Sequence, residues 1–258
     1  MAWDPAHYLK FSDERLRPGF DLLARVGELP AAAPMAELGC GTGVHARAIA
    51  ARWPEQPLLA LDSSPEMLRQ AAEAGSAPGI VWEKADLTTW NAPVPLALVF
   101  SNAVLQWVDD HAALFPRLLR MLAPEGVLAV QMPRNFAAPS HVLMREAALA
   151  GAWAARLEPL LRRDPVATPQ RYYDLLRPLA RGALDIWETE YLHVLQGEDA
   201  VFAWVSGTAL RPLSAALAGG ERQDFEALYR EKLRQAYPKQ ADGKTLLPFR
   251  RLFIVARA

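Results

Sequence analysis

The sequence predicts an α/β fold: a doubly wound, mostly parallel sheet with helices on both faces. Three observations predict it. Residues 31–35 form an apolar approach to Ala36-Glu37-Leu38-Gly39-Cys40-Gly41-Thr42-Gly43, and residues 44–51 read as a helix, so the segment runs strand, glycine-rich turn, helix. Nearly continuous apolar runs then alternate with stretches of helical spacing, the pattern of a parallel sheet covered on both faces. Two of these runs end in a carboxylate, Asp62 and Asp86, at the edge where such sheets bind ligands.

Each element has its own warrant. Leu58-Leu59-Ala60-Leu61-Asp62 reads as the second buried strand, and Ser63 or Ser64 caps the helix that Pro65 opens. Ile80-Val81-Trp82-Glu83-Lys84-Ala85-Asp86 reads as the third strand. Leu96-Ala97-Leu98-Val99-Phe100-Ser101-Asn102 is almost wholly apolar, as a strand buried on both faces requires. Residues 111–122 have helical spacing, and a fifth strand over 127–131 follows Gly126. The last two strands are expected over 183–195 and 245–257. Two segments fall outside the alternation, at about 135–180 and 198–240, and both carry helical pieces. Placed after strands five and six, they would lie over the ligand edge as a lid that selects substrate and excludes water. Ordinary helical decoration is the competing reading.

The glycine loop has a chemistry of its own. Glycine is required where a Cβ would meet a ligand or forbid a positive-φ turn. Gly39, Gly41 and Gly43 are spaced G-x-G-x-G, not in the dinucleotide pattern G-x-G-x-x-G. Glu37 precedes them, where it would repel a pyrophosphate but not a cation. That combination points to S-adenosylmethionine, with its sulfonium and amino groups. Asp62 is then placed to accept from both ribose hydroxyls, Asp86 from the adenine amino group, and the Leu87 amide faces a ring nitrogen. Ser63, Asn102 and Trp107 complete the candidate cofactor set. A nicotinamide-dependent oxidoreductase shares the same opening but is disfavoured by the spacing and by Glu37. A noncatalytic cofactor-binding module, or acids that merely cap helices, stay open.

Bulk composition narrows the class. The 258 residues suffice for one core with insertions, so a single domain over 1–258 is expected, with its cofactor core at about 30–133. A formal net charge of −1 gives no reason to propose nucleic acid or a membrane surface as partner, and no feature argues for a particular oligomer. Asp4, Lys10, Asp13, Glu14, Arg15 and Arg17 make the N-terminus too charged for a signal peptide. No apolar run is long enough to span a bilayer. The single cysteine, Cys40, excludes an internal disulfide and fits a reducing cytoplasm. It reads as a small side chain packed under the loop, since nothing nearby supplies a base. The five histidines and one cysteine lack metal-ligand spacing, so no metal is expected.

The succession resembles the class I S-adenosylmethionine-dependent methyltransferases over most of the chain. More narrowly, it resembles the trans-aconitate 2-methyltransferase family. The matching segments include Tyr8-Leu9-Lys10-Phe11-Ser12, Arg17-Pro18, Leu61-Asp62-Ser63-Ser64-Pro65, Leu105-Gln106-Trp107, Gln131-Met132-Pro133, His141-Val142-Leu143-Met144-Arg145-Glu146, Gly207-Thr208-Ala209-Leu210-Arg211-Pro212 and Arg251-Leu252-Phe253-Ile254. Gly41-Thr42-Gly43 stands where Gly-Pro-Gly is expected. Arg250-Arg251 replaces a Pro-Arg pair, which leaves two arginines as candidates. The resemblance implies a Rossmann-like sheet of seven strands with an antiparallel last strand and helical lid insertions. It implies S-adenosylmethionine as donor, S-adenosylhomocysteine as product, and a small polycarboxylic acid as acceptor. Another acid, or another O or N acceptor, is the alternative.

A carboxylate acceptor is already ionised at pH 7, so no general base is assigned. The demand falls instead on forked cations. The candidates are Arg15, Arg17, Arg134, Arg145, Arg211, Arg250 and Arg251, with Tyr8, Trp107, His111, His141, Tyr172 and Tyr173 as donors or walls. Arg17, Arg211 and Arg251 stand out because each lies in a segment resembling the family, as does Tyr8. Trp107, at the mouth of the site, is the fifth substrate candidate. His111 and His141 read as structural.

Overall fold

A computed structural model describes residues 12–258 except 32, 76 and 163, with only the backbone of Ser12 and Asp13. Tyr8 therefore lies outside the described residues. Helix α1 (Ser12–Arg25) leads to β1 (Met35–Leu38), α2 (Val44–Arg52), β2 (Leu58–Asp62), α3 (Pro65–Glu73), β3 (Ile80–Lys84) and β4 (Leu96–Asn102). A 3-10 turn (Leu105–Trp107), α4 (His111–Arg120) and β5 (Leu122–Pro133) follow. Then come α5 (Pro139–Leu149), α6 (Ala154–Leu157), α7 (Pro169–Leu176), β6 (Leu184–Leu195), α8 (Ala200–Ser206), α9 (Arg211–Ala215), α10 (Gly219–Ala236) and β7 (Thr245–Arg257).

The seven strands form one sheet in the order β3-β2-β1-β4-β5-β7-β6. β1 to β5 pair in parallel, while β7 runs antiparallel to both β5 and β6. This is the expected Rossmann-like sheet with an antiparallel last strand. All four residues of β1 are buried, as are six of the seven in β4, because helices cover both faces there. One face packs Leu22, Val26, Ile49 and Phe100 under α1 and α2. The opposite face packs Leu114, Phe115, Leu118 and Tyr172 under α4 and α7.

Two local readings shift, at β3 and β5, and the choice of cap between Ser63 and Ser64 is resolved. β3 ends at Lys84, so Asp86 lies in the following loop rather than in the strand. Ser64, not Ser63, caps α3, its hydroxyl accepting from the Met67 amide at 3.3 Å. β5 starts at Leu122, earlier than the sequence suggests, because the ladder to β4 shifts register between Leu96 and Leu98. Gly126 permits that irregularity: a Cβ there would stand 2.7 Å from the Leu96 carbonyl oxygen.

Apart from α7, which packs Tyr172 and Leu176 against the sheet, the helices of the two inserted segments share a third core. Trp153, Trp204, Phe225 and Leu233 pack there with Leu247 and Phe249 of β7. Tyr229 donates to the Ser140 carbonyl at 2.7 Å, and the Ser140 amide donates to the Tyr237 hydroxyl at 3.0 Å. Far-apart stretches of chain thus close on one another at the end of the sheet where β1 to β5 finish.

Candidate active site

At that end lies a cavity of about 530 Å³. The strand order turns into a lateral series along it. Asp86 and Leu87 lie past β3, Asp62 and Ser63 at β2, Gly39 and Gly41 past β1, Asn102 at the end of β4, Asn135 past β5 and Arg251 on β7, and all line this cavity. Trp107 lines it too, as do Arg15 and Arg211.

The glycines divide by role. Gly39, Gly41 and Gly43 all have positive φ, at +76°, +53° and +78°. A Cβ on Gly39 would lie 2.3 Å from Val104 and one on Gly43 2.4 Å from Trp82, whereas one on Gly41 meets nothing within 4 Å. Gly39 and Gly43 therefore serve packing as well as the turn, and Gly43 does not line the cavity. Gly41 leaves open the space that a ligand would fill. The loop is tied to β2: the Gly39 and Cys40 amides both donate to the Leu61 carbonyl, at 2.7 and 2.8 Å. The Gly41 amide donates to Asp62 Oδ2 at 2.9 Å, and the Ser64 amide donates to Oδ1 at 2.8 Å.

Acceptors also line the cavity. Asp86 Oδ1 accepts from the Thr88 hydroxyl at 2.7 Å and from its amide at 2.9 Å, which holds the carboxyl below the usual range. Asn102 Oδ1 and Gln106 Oε1 are buried without hydrogen-bond partners among the described residues. Behind the loop, Glu37 is 1 % exposed and does not line the cavity. Burial pushes its carboxyl well up from the ordinary value, and the Asp62 charge adds to that. His45, with Nδ1 3.9 Å from Glu37, is pushed down by its own burial, so the two do not form a charged pair at neutral pH. The donor set fits a cationic nucleoside: carboxylates for hydroxyl and amino groups, and orphaned carbonyl oxygens for an ammonium. The Cys40 thiol is pushed up by burial and then by Glu37 and Asp62, which leaves it unreactive.

The candidate arginines separate on geometry. Arg134 donates to the Ala167 carbonyl at 3.0 Å and pairs with Glu188 at 2.6 Å; Arg145 donates to the Phe136 carbonyl at 2.9 Å. Arg17 is 72 % exposed, lies 3.7 Å from Asp21 and does not line the cavity. Arg250 is 51 % exposed and faces Glu190 at 3.9 Å, whereas its neighbour Arg251 is 3 % exposed. Strand alternation along β7 makes that choice. Arg15, 5 % exposed, donates to the Trp204 carbonyl at 3.1 Å and stacks on its ring. Three buried or half-buried guanidiniums, Arg15, Arg211 and Arg251, thus line the cavity, and the strand order sets Arg251 of β7 apart from Asp62 and Asp86.

The aromatic and imidazole candidates also sort. His111 bonds the Tyr172 hydroxyl and the Leu105 carbonyl, at 2.5 and 2.8 Å, and braces the turn that carries Trp107. Tyr173 is exposed. Trp107 is 37 % exposed, and Arg162, from the first inserted segment, reaches across to its carbonyl and to Asp109. His141 lines the cavity and bonds Ser140 Oγ at 3.2 Å; burial and then Arg145 lower its pKa to about 4. Ala103, between Asn102 and Val104, holds φ +56° at the cavity wall, the kind of local strain that gathers at functional sites.

Sequence reasoning did not single out Asn135, Gln106 or Thr88. The signal was present for Asn135 alone, as a polar residue just past a predicted strand end at the ligand edge.

Residues 35–126 match a family described as "Methyltransferase domain". The chain is 48% identical over 255 residues to a trans-aconitate 2-methyltransferase of Azoarcus sp. (strain BH72), covering 99% of this chain and 98% of the relative. It is 49% identical over 261 residues to one from Streptomyces avermitilis, covering 99% and 96%. Among solved structures, an S-adenosylmethionine dependent methyltransferase from Mesorhizobium loti superposes with TM-score 0.52 at 21% identity, over 93% of this chain and 96% of that one. The YcgJ protein of Bacillus subtilis superposes with TM-score 0.59 at 12% identity, over 93% and 98%. These structures share the fold, and the full-length relatives go further. With the glycine loop, the acids at the end of β2 and just past β3, and identity running the length of the chain, the protein belongs to the trans-aconitate 2-methyltransferase family of S-adenosylmethionine-dependent enzymes.

Proposed function

We propose that the protein transfers a methyl group from S-adenosylmethionine to one carboxylate of trans-aconitate or a close tricarboxylic acid, giving the monomethyl ester. The observation that carries this reading is that one cavity is lined both by acceptors, Asp62, Asp86, Asn102 and Gln106, and by the guanidiniums Arg15, Arg211 and Arg251, the last on β7, across β4 and β5 from the glycine loop. The acceptors suit a cationic donor, the guanidiniums a polyanion.

In this reading Gly39 and Gly41 cradle the donor, Asp62 and Ser63 hold its ribose, Asp86 and the Leu87 amide its adenine, and Trp107 walls the pocket. Glu37 stands behind the loop, off the cavity lining, and makes no contact with the donor in this reading. When bound, the donor supplies an electrophilic methyl on a sulfonium. The acceptor carboxylate oxygen bonds to that carbon as the carbon–sulfur bond breaks and the bonding pair leaves with sulfur. No proton is transferred, so His141 has no base to play. Opposite charges cancel in the transition state, and water stabilises the separated ions more than that state. A dry cavity and an in-line alignment are therefore the chain's main contributions, the second worth as much as about 7–11 kcal/mol in favourable cases. Without α7, which packs on the sheet, the helices of the inserted segments, α5, α6 and α8 to α10, serve as the lid that excludes water, with Arg162 latched on the Trp107 turn. The chain acts as one methyltransferase domain on a small molecule in the cytoplasm.

The test is incubation with methyl-labelled S-adenosylmethionine and a panel of di- and tricarboxylates, followed by base-labile label. Preferential labelling of trans-aconitate supports the reading. Cofactor binding with no acid labelled overturns the acceptor and leaves the donor site standing.

A further inference from the structure

Resting on that reading, we infer that Asn135 holds the carboxylate that is methylated, while the arginines hold the carboxylates that are not. Asn135 is 6 % exposed, lines the cavity, and neither its Oδ1 nor its Nδ2 has a hydrogen-bond partner among the described residues. An amide so enclosed loses the hydrogen bonds that both its donor and its acceptor atoms would make to water, a cost that a ligand would reverse. Its backbone is set independently of that side chain: the Asn135 carbonyl accepts from the Ala138 amide at 2.9 Å as the chain turns into α5.

Position along the sheet supplies the second argument. The order β2-β1-β4-β5-β7 puts Asn135, just past β5, between the glycine loop past β1 and Arg251 on β7. Arg251 is paired in register with Pro133, two residues before Asn135. A ligand carboxylate at Asn135 therefore lies on the donor side of one at Arg251.

Charge supplies the third. The oxygen that bonds the methyl carbon gives up its negative charge in that step. A guanidinium on this oxygen would favour the ground state over the transition state and slow the reaction. A neutral amide orients the oxygen through a weaker bond, with Nδ2 donating whichever way the amide is turned. The other two carboxylates keep their charge throughout, so arginines hold them at no such penalty. Gln106 does not share the role, because its Nε2 is engaged by the Ala103 carbonyl at 2.7 Å and only its acceptor oxygen is unpaired.

The experiment compares wild type, Asn135→Ala and Asn135→Asp with trans-aconitate at saturating S-adenosylmethionine, alongside calorimetric Kd values for S-adenosylhomocysteine. Asn135→Ala is expected to lower kcat about ten- to a hundredfold through lost alignment of the reacting oxygen, with KM and the Kd within threefold of wild type because the arginines still hold the other carboxylates. Its product is expected to contain more than one ester isomer by NMR. Asn135→Asp is expected to lose more at pH 8 and to regain activity as the pH falls, because protonation restores a donor. A kcat within threefold of wild type in Asn135→Ala overturns the inference. So does a raised Kd, which would move Asn135 to the donor site, or a raised KM at unchanged kcat, which would make it a spectator contact. A wild type that labels no tricarboxylate overturns the acceptor reading itself, and this inference with it.

Discussion

The Gly41 amide is bonded to the Asp62 carboxylate at 2.9 Å, so the loop past β1 is held open by the residue that ends β2. A carboxylate has about four acceptor sites, so Asp62 keeps capacity for ligand hydroxyls while it bonds Gly41 and Ser64. Asp62→Ala is expected to weaken S-adenosylhomocysteine about ten- to a hundredfold, as one or two charge-assisted bonds are lost. Isothermal calorimetry reads this directly, and an unchanged Kd would remove Asp62 from the site.

Gly41 and Gly43 differ in what a side chain would meet. Gly41→Ala puts a methyl into the cavity at φ +53°, with about 1–2 kcal/mol of backbone strain and no protein clash. Gly43→Ala adds to similar strain a contact 2.4 Å from Trp82. The first is expected to lose cofactor affinity at a modest cost in melting temperature, the second to melt clearly lower. Thermal unfolding followed by ligand titration distinguishes them, and equal melting losses would contradict the division.

Glu37 carries a pH signature. Its folded pKa is raised above the ordinary 4.5, so above pH 4.5 the folded state holds a proton that the unfolded state has released. Stability contributed by the protonated form is present at low pH and falls as pH rises through the raised value. Glu37→Gln is expected to flatten that fall and to melt higher than wild type at pH 8. Melting curves across pH test this; a mutant with the same pH slope as wild type would refute it.

Arg251 and Arg17 are a matched pair for mutagenesis. Arg251→Ala removes a buried guanidinium from the cavity and is expected to raise the KM for trans-aconitate about ten- to a hundredfold. Arg17→Ala removes an exposed group beside Asp21 and is expected to change KM by less than about threefold. Steady-state kinetics decide the matter; the opposite ranking would place Arg17 at the substrate.

A reaction without a general base has no rising limb in its pH profile set by the titration of such a base. His141, lowered to about 4, stays neutral from roughly pH 6 to pH 9, and kcat is expected to be level over that range. His141→Gln is expected to retain more than about a tenth of wild-type kcat. A profile that rises with an apparent pKa near neutrality, abolished in that variant, would restore a base.

The parts of the fold legible in the sequence were those written locally. The β4 boundaries, Leu96–Asn102, follow from an apolar run, and the loop of Gly39, Gly41 and Gly43 from backbone angles only glycine readily takes. Asp62, at the end of β2, and Asp86, in the loop just past β3, were readable because ligands in such sheets sit beyond the carboxyl ends of the strands. The sequence by itself thus determined the sheet, the donor chemistry and a set of arginines. Which arginines face inward was decided only in three dimensions. Arg250 and Arg251 are adjacent in sequence, yet pairing with β5 and β6 sends one to solvent and the other into the cavity. Arg15 and Arg17 separate in the same way on α1, whose packing turns Arg15 onto Trp204, a residue of a distant helix. Asn135 carries no motif, and its importance lies in the hydrogen bonds its surroundings withhold. That is a property of enclosure, which no local pattern of residues encodes.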